Sequence, residues 1–140
     1  MKRIEHGPWV FFVDESLKTN KFDPQKVGKW MYFFSDSDFA EKICSEAVSS
    51  KIVLESKHSN ANEGVCCFYL EIDDVEAHKR ILKYFLDNSL IKKTKSGKYY
   101  DISFKLDKQT LAGQYRKDFI AELKLSQFVN LETGQFLKQQ

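Results

Sequence analysis

Two stretches of this chain share one pattern, a glycine-led run of bulky residues that ends on carboxylates able to start a helix. Gly28-Lys-Trp-Met-Tyr-Phe-Phe34 runs into Ser35-Asp36-Ser37-Asp38, and Gly64-Val-Cys-Cys-Phe-Tyr-Leu-Glu-Ile72 runs into Asp73-Asp74. Aromatic and β-branched runs of this length suit a pleated, half-buried strand. Asp and Ser favour the position just before a helix because their side-chain oxygens accept from first-turn amides that have no partner in the helix. The chain therefore holds at least two strand-to-helix units.

The residues after each cap repeat at helical spacing. Phe39, Ala40, Ile43, Cys44 and Ala47 share one face, and so do Val75, His78, Ile81, Leu82, Phe85 and Leu86. Further strands are expected at Pro8–Val13, Ile52–Lys57, Tyr99–Phe104 and Phe119–Leu125. His58-Ser-Asn-Ala-Asn-Glu-Gly64 is turn chemistry, so the strands on either side of it should form an antiparallel pair. Met31 and Phe33 alternate with Trp30, Tyr32 and Phe34, which predicts a central strand covered on both faces, with Trp30 in the core. His78 reads as a packed residue of its helix, and His6 as part of a mobile N-terminus. The expected fold is α+β: a curved, mainly antiparallel sheet of five to six strands with two or more helices packed on one face. The other face would be concave, and a ligand belongs there.

At 140 residues the chain is most simply one domain, 1–140, large enough to bury roughly 68–70% of its unfolded surface without a staple. Its net charge of +2 means that any polyanion must be held by a local patch. Cys44, Cys66 and Cys67 lack metal-ligand spacing, and adjacent residues of a strand point to opposite faces. They read as buried thiols in a reducing compartment, so neither a metal nor a cofactor is expected. No leader peptide and no apolar run of about 20 residues is visible, which points to the cytoplasm and away from membranes.

One family shares this layout. Val27-Gly-Lys-Trp-Met-Tyr-Phe-Phe34 with its helix, Ser56-Lys57, Val65-Cys-Cys-Phe-Tyr69 with its acidic cap, and Tyr99-Tyr100-Asp101-Ile102 together resemble the basophilic-leukemia-expressed protein family and its relatives of unknown function. The likeness spans roughly residues 27–115 and is most specific in the GKWM strand. It implies the fold of the cap-binding translation initiation factor 4E, a curved antiparallel sheet backed by helices. Those factors sandwich a methylated guanine between two loop tryptophans, whereas Trp9 and Trp30 fall in predicted strands here. The likeness therefore implies the fold and not that sandwich.

Candidate ligand-binding residues are Lys57, His58, Arg116, Tyr99 and Trp9. Lys57 and His58 end a strand and suit a phosphate, one as a point charge and the other as a titratable ring; the plainer reading is a solvated strand end. Lys92, Lys93, Lys95 and Lys98 beside Tyr99 and Tyr100 suggest phosphate neutralisation with base stacking, although Gly97 marks an ordinary charged turn. Arg116 offers a guanidinium fork, with Asp118 and Glu122 near enough to absorb it. Trp9 suits a stacking platform on the uncovered face. No nucleophile elbow or acid–base carboxylate pair is recognisable. The expectation is a small binding protein for a nucleotide, an RNA end or another phosphorylated ligand. A protein-interaction accessory factor of phage or mobile-element type is the alternative, and a phosphoester-acting enzyme using His58 is third.

Overall fold

The computed structural model describes residues 1–18, 21–108 and 123–138. Two strands, β1 (Lys2–His6) and β2 (Trp9–Val13), form a hairpin closed by Gly7 and Pro8. Gly7 has φ +58°, and glycine at the first of two turn residues is the pattern of a II′ turn, whose twist matches the strands it joins. His6 is thus the last residue of a paired strand.

β3 (Val27–Phe34) leads into α1 (Ser37–Ser49), capped by Asp36, whose carboxylate accepts from the Asp38 and Phe39 amides. β4 (Glu55–Ser59) and β5 (Gly64–Glu71) follow as the expected antiparallel pair. α2 (Val75–Asp87) is capped by Asp74, which accepts from the Ala77 amide. β6 (Ser103–Leu106) and the two-residue β7 (Leu123–Lys124) complete one open, curved antiparallel sheet in the order β1-β2-β4-β5-β3-β6-β7. The architecture is the expected α+β one, with seven strands in place of five or six.

Three boundaries move. The strand expected at Ile52–Lys57 starts three residues later, because the Ile52 and Val53 amides donate to the Ala47 carbonyl and close the end of α1. The strand expected at Tyr99–Phe104 is β6, shifted toward the C-terminus, and Tyr99 forms only an isolated bridge with Lys93. Of the strand expected at Phe119–Leu125, residues 119–122 lie outside the described residues and only Leu123–Lys124 pairs, with β6.

The core lies between the helices and one sheet face. Trp30 is fully buried, in one core cluster with Phe68, Phe104 and Leu70 from the sheet and Ile43, Ile81, Leu82 and Phe85 from the helices. The strand register carries these residues through alternate positions of β3 and β5, so Met31, Phe33, Cys67 and Tyr69 point to the opposite face. That face is not covered evenly: Phe33 is 66% exposed, so β3 is not sheathed on both sides along its whole length. Among the described residues no helix is long and apolar enough to cross a membrane.

Candidate functional site

Alternation along β4 separates the two neighbouring candidates. Phe11, Lys57, Cys67 and Met31 lie opposite one another across β2, β4, β5 and β3, on the face away from the helices. There the Lys57 ammonium sits 3.8 Å from the centre of the Trp9 ring, with Phe11 at 5.6 Å and Tyr69 at 5.8 Å. This is a cation–π arrangement in which the chain's own lysine occupies the tryptophan face. Trp9 and Lys57 are brought together, but each is engaged by the other.

The middle of this face is closed. Tyr69 is only 7% exposed, and Cys67 and Lys29 are buried with it. Lys29 pairs with Asp107 at 2.7 Å. Burial raises the Tyr69 phenol well above its usual range and pushes the Cys67 thiol up to about 11. The Glu55 carboxyl is raised for the same reason, partly offset by Lys57.

His58 points the other way, into the helix side, and is 4% exposed. Its Nδ1 lies 2.9 Å from the Ser59 carbonyl oxygen and its Nε2 lies 3.1 Å from Glu41 Oε1. Arg3 holds the same carboxylate through Nε at 2.6 Å and Nη2 at 3.0 Å, which keeps the Glu41 carboxyl below its ordinary range, with His58 adding to the effect. Arg3, Glu41 and His58 line a polar cavity of about 480 Å³ with Ser37, Asp38, Asn60 and Asn62. Both ring nitrogens already face oxygens, and the ring lies on the sheet face opposite Lys57. Lys57 and His58 therefore cannot hold one phosphate together.

Tyr99 is half-buried over Gly134 and stands under the Lys93 ammonium at 4.9 Å, while its amide donates to the Leu131 carbonyl. Of the lysine-rich segment, Thr94 to Lys98 form a tight turn in which Gly97 takes φ +90°, and Lys98 pairs with Glu132 at 3.5 Å. Arg116 lies outside the described residues. Among the described residues no group of three His, Cys, Asp or Glu side chains can hold a metal.

A further cleft lies beside β3, at the edge of the basic-aromatic segment. β6 pairs with β3 only at Gly28 and Lys29. Upstream of β6 the chain is drawn toward the C-terminal segment instead: the Ile102 carbonyl accepts from the Leu125 amide, and the Asp101 carboxylate accepts from Ser126 N at 2.7 Å and Ser126 Oγ at 2.8 Å. The two strands part, and a cleft of about 570 Å³ opens between them. Met31, Tyr32, Phe33, Leu90, Tyr100 and Ile102 give it apolar walls, and Lys92, Asp101 and Ser103 add polar groups, the Asp101 carboxylate being held by Ser126. Phe33, and Tyr100 with 52% of its surface exposed, present rings to solvent, and Lys92 is exposed with no ion pair among the described residues. The sequence signal was present only in part. Tyr100 and Lys92 stood in the basic-aromatic segment, but nothing local announces that Phe33 loses its cover. Comparison of the chain with protein-family models, with characterised proteins and with solved structures gives no match.

Proposed function

We propose that this protein is a non-catalytic binding module and that its ligand site is the cleft beside β3. The observation that carries the reading is a mostly apolar cleft of about 570 Å³ with two solvent-facing aromatic rings and one uncommitted lysine. Pockets of this size, apolar with a few polar groups, are the usual form of small-molecule sites. The ring faces of Phe33 and Tyr100 suit a planar base, and Lys92 suits a phosphate on it. The ligand class is a nucleotide, the end of an RNA or another phosphorylated aromatic molecule. An open antiparallel sheet with two helices on one face supports kinship with the initiation factor 4E-like fold, which forms part of the same proposal. The stacking role falls to Phe33 and Tyr100, since Trp30 is in the core and Trp9 is engaged by Lys57.

Calorimetric titration with mononucleotides and short RNA oligomers tests this. Phe33→Ala and Tyr100→Ala should each weaken binding by about tenfold or more, since stacking of one base is worth about 1–3 kcal/mol. Phe33→Ala should leave thermal stability nearly unchanged, because the ring is mostly in solvent already. Trp9→Ala should leave affinity intact. If no nucleotide or RNA binds at millimolar concentration, or if binding ignores both ring deletions, the proposal fails.

A further inference from the structure

β1 is the terminal strand of the sheet, and all five of its residues, Lys2 to His6, are exposed. One edge pairs with β2 and the other has no strand beside it among the described residues, leaving a row of outward amide and carbonyl groups. Such edges are normally blunted by charge, because a like-charged neighbour cannot pair with them. The order of charges here does the opposite for one particular neighbour. Laid antiparallel against a second copy of itself and centred on Ile4, the strand places Arg3 opposite Glu5 at one crossing and Glu5 opposite Arg3 at the other. Ile4 meets Ile4 at the two-fold axis, and Lys2 meets His6 at the ends.

Sheet geometry puts these contacts on useful faces. Arg3 and Glu5 lie on the helix side, where Arg3 reaches both Glu5 at 3.0 Å and Glu41 at 2.6 Å. Ile4, 37% exposed, lies on the other face opposite Phe11, so two Ile4 side chains would meet beside the two Phe11 rings. Opposite charges directly across an antiparallel pair stabilise it, and like charges destabilise it.

We infer that β1 is a self-pairing edge and that two copies of this chain associate through β1 to form one continuous antiparallel sheet about a two-fold axis. The strand has five residues, against the roughly 20–30 a side of a standard stable interface, so the dimer forms reversibly with concentration. The inference is independent of the ligand site, since no residue of β1 lines the cleft beside β3.

Sedimentation equilibrium of the full chain provides the test, with folding of each variant checked by circular dichroism. The wild-type chain should show a monomer–dimer equilibrium, and hydrogen exchange at residues 2–6 should slow as concentration rises. Glu5→Arg keeps the Arg3–Glu41 pair but sets like charges across both crossings, and should weaken the dimer by at least about tenfold. Arg3→Glu should do the same. An equimolar mixture of the Arg3→Glu and Glu5→Arg chains restores opposite charges at both crossings and should dimerise again. A wild-type chain that stays monomeric at several hundred micromolar overturns the inference. So does a dimer that neither charge change weakens, or one that leaves exchange at residues 2–6 unchanged.

Discussion

His78 is 1% exposed and carries two polar nitrogens, so both must find partners inside the core. Its Nδ1 accepts from Trp30 Nε1 at 3.0 Å, and its Nε2 donates to the Ile72 carbonyl at 2.8 Å. This fixes a neutral ring with one donor and one acceptor nitrogen. Phe128 stacks on it at 5.1 Å and Phe104 meets it edge-on at 5.0 Å. Burial lowers the pKa of His78, with partial opposition from the Ile72 hydrogen bond and from Asp74 and Asp73. The folded pKa lies below the unfolded value of about 6.5, so between the two the unfolded chain binds more protons and stability rises with pH. The contribution is complete above about 6.5 and is lost as pH falls toward the folded pKa. Urea unfolding should show that decline in the wild-type chain and a flatter profile in His78→Leu. That variant should also lose about 1–3 kcal/mol at neutral pH, because the Trp30 N–H is left buried without an acceptor. Sequence reading identified Trp30 as core and His78 as packed, from alternation and helical spacing. The bond between them spans 48 positions, and no local pattern encodes it.

At the scale of elements, Gly28, the second residue of β3, and Gly64, the first of β5, have a steric purpose. A Cβ on Gly28 would overlap the Phe104 ring and sit 2.5 Å from the Lys105 carbonyl oxygen, because β6 pairs with β3 at this point. Gly28→Ala should therefore cost about 1–3 kcal/mol in chemical unfolding, an overpacking penalty that the backbone conformation plays no part in. Gly64 is filled in a similar way by the Ser59 side chain. Both helices were legible, and their caps were narrowed to Ser35–Asp38 and Asp73–Asp74, of which Asp36 and Asp74 accept from their own first turns. β1 was missed because four of its five residues are polar and all five are exposed; it is a strand through pairing with β2 alone. The shift of β6 and the parting of β3 from it depend on hydrogen bonds to Leu125 and Ser126, more than 20 residues downstream.

Across the whole molecule, the three cysteines report on how completely the core is closed. Cys44, Cys66 and Cys67 are all buried, and none is in a disulfide. Hydrogen bonding to Cys66 together with burial raises the Cys44 thiol, and burial above all, against Lys57 and Lys29, lifts that of Cys67 to about 11. The thiolate is the reactive form, so the folded chain should react with an aromatic disulfide reagent at least about a hundredfold more slowly than the unfolded chain. All three thiols should titrate at once in strong urea. Rapid labelling of one thiol under native conditions would mean that the sheet opens locally around it. The charged groups that looked most like a binding set from sequence are dispersed over the molecule: Lys57 to one face, His58 to the other, and Tyr99 against Gly134.

The sequence by itself determined the α+β class, the two helices and the short segments that cap them, the antiparallel pair around Asn60 and the burial of Trp30. These follow from short-range rules: the two-residue period of strands, the helical repeat, and a side chain reaching its own backbone. Only the tertiary structure decided which residues share a face and which face stays open. Neighbours in a strand point in opposite directions, so the adjacency of Lys57 and His58 in sequence separates them in space. Strand pairing likewise fixes cover, so Phe33, as apolar as Trp30, faces solvent because the chain before β6 bonds elsewhere.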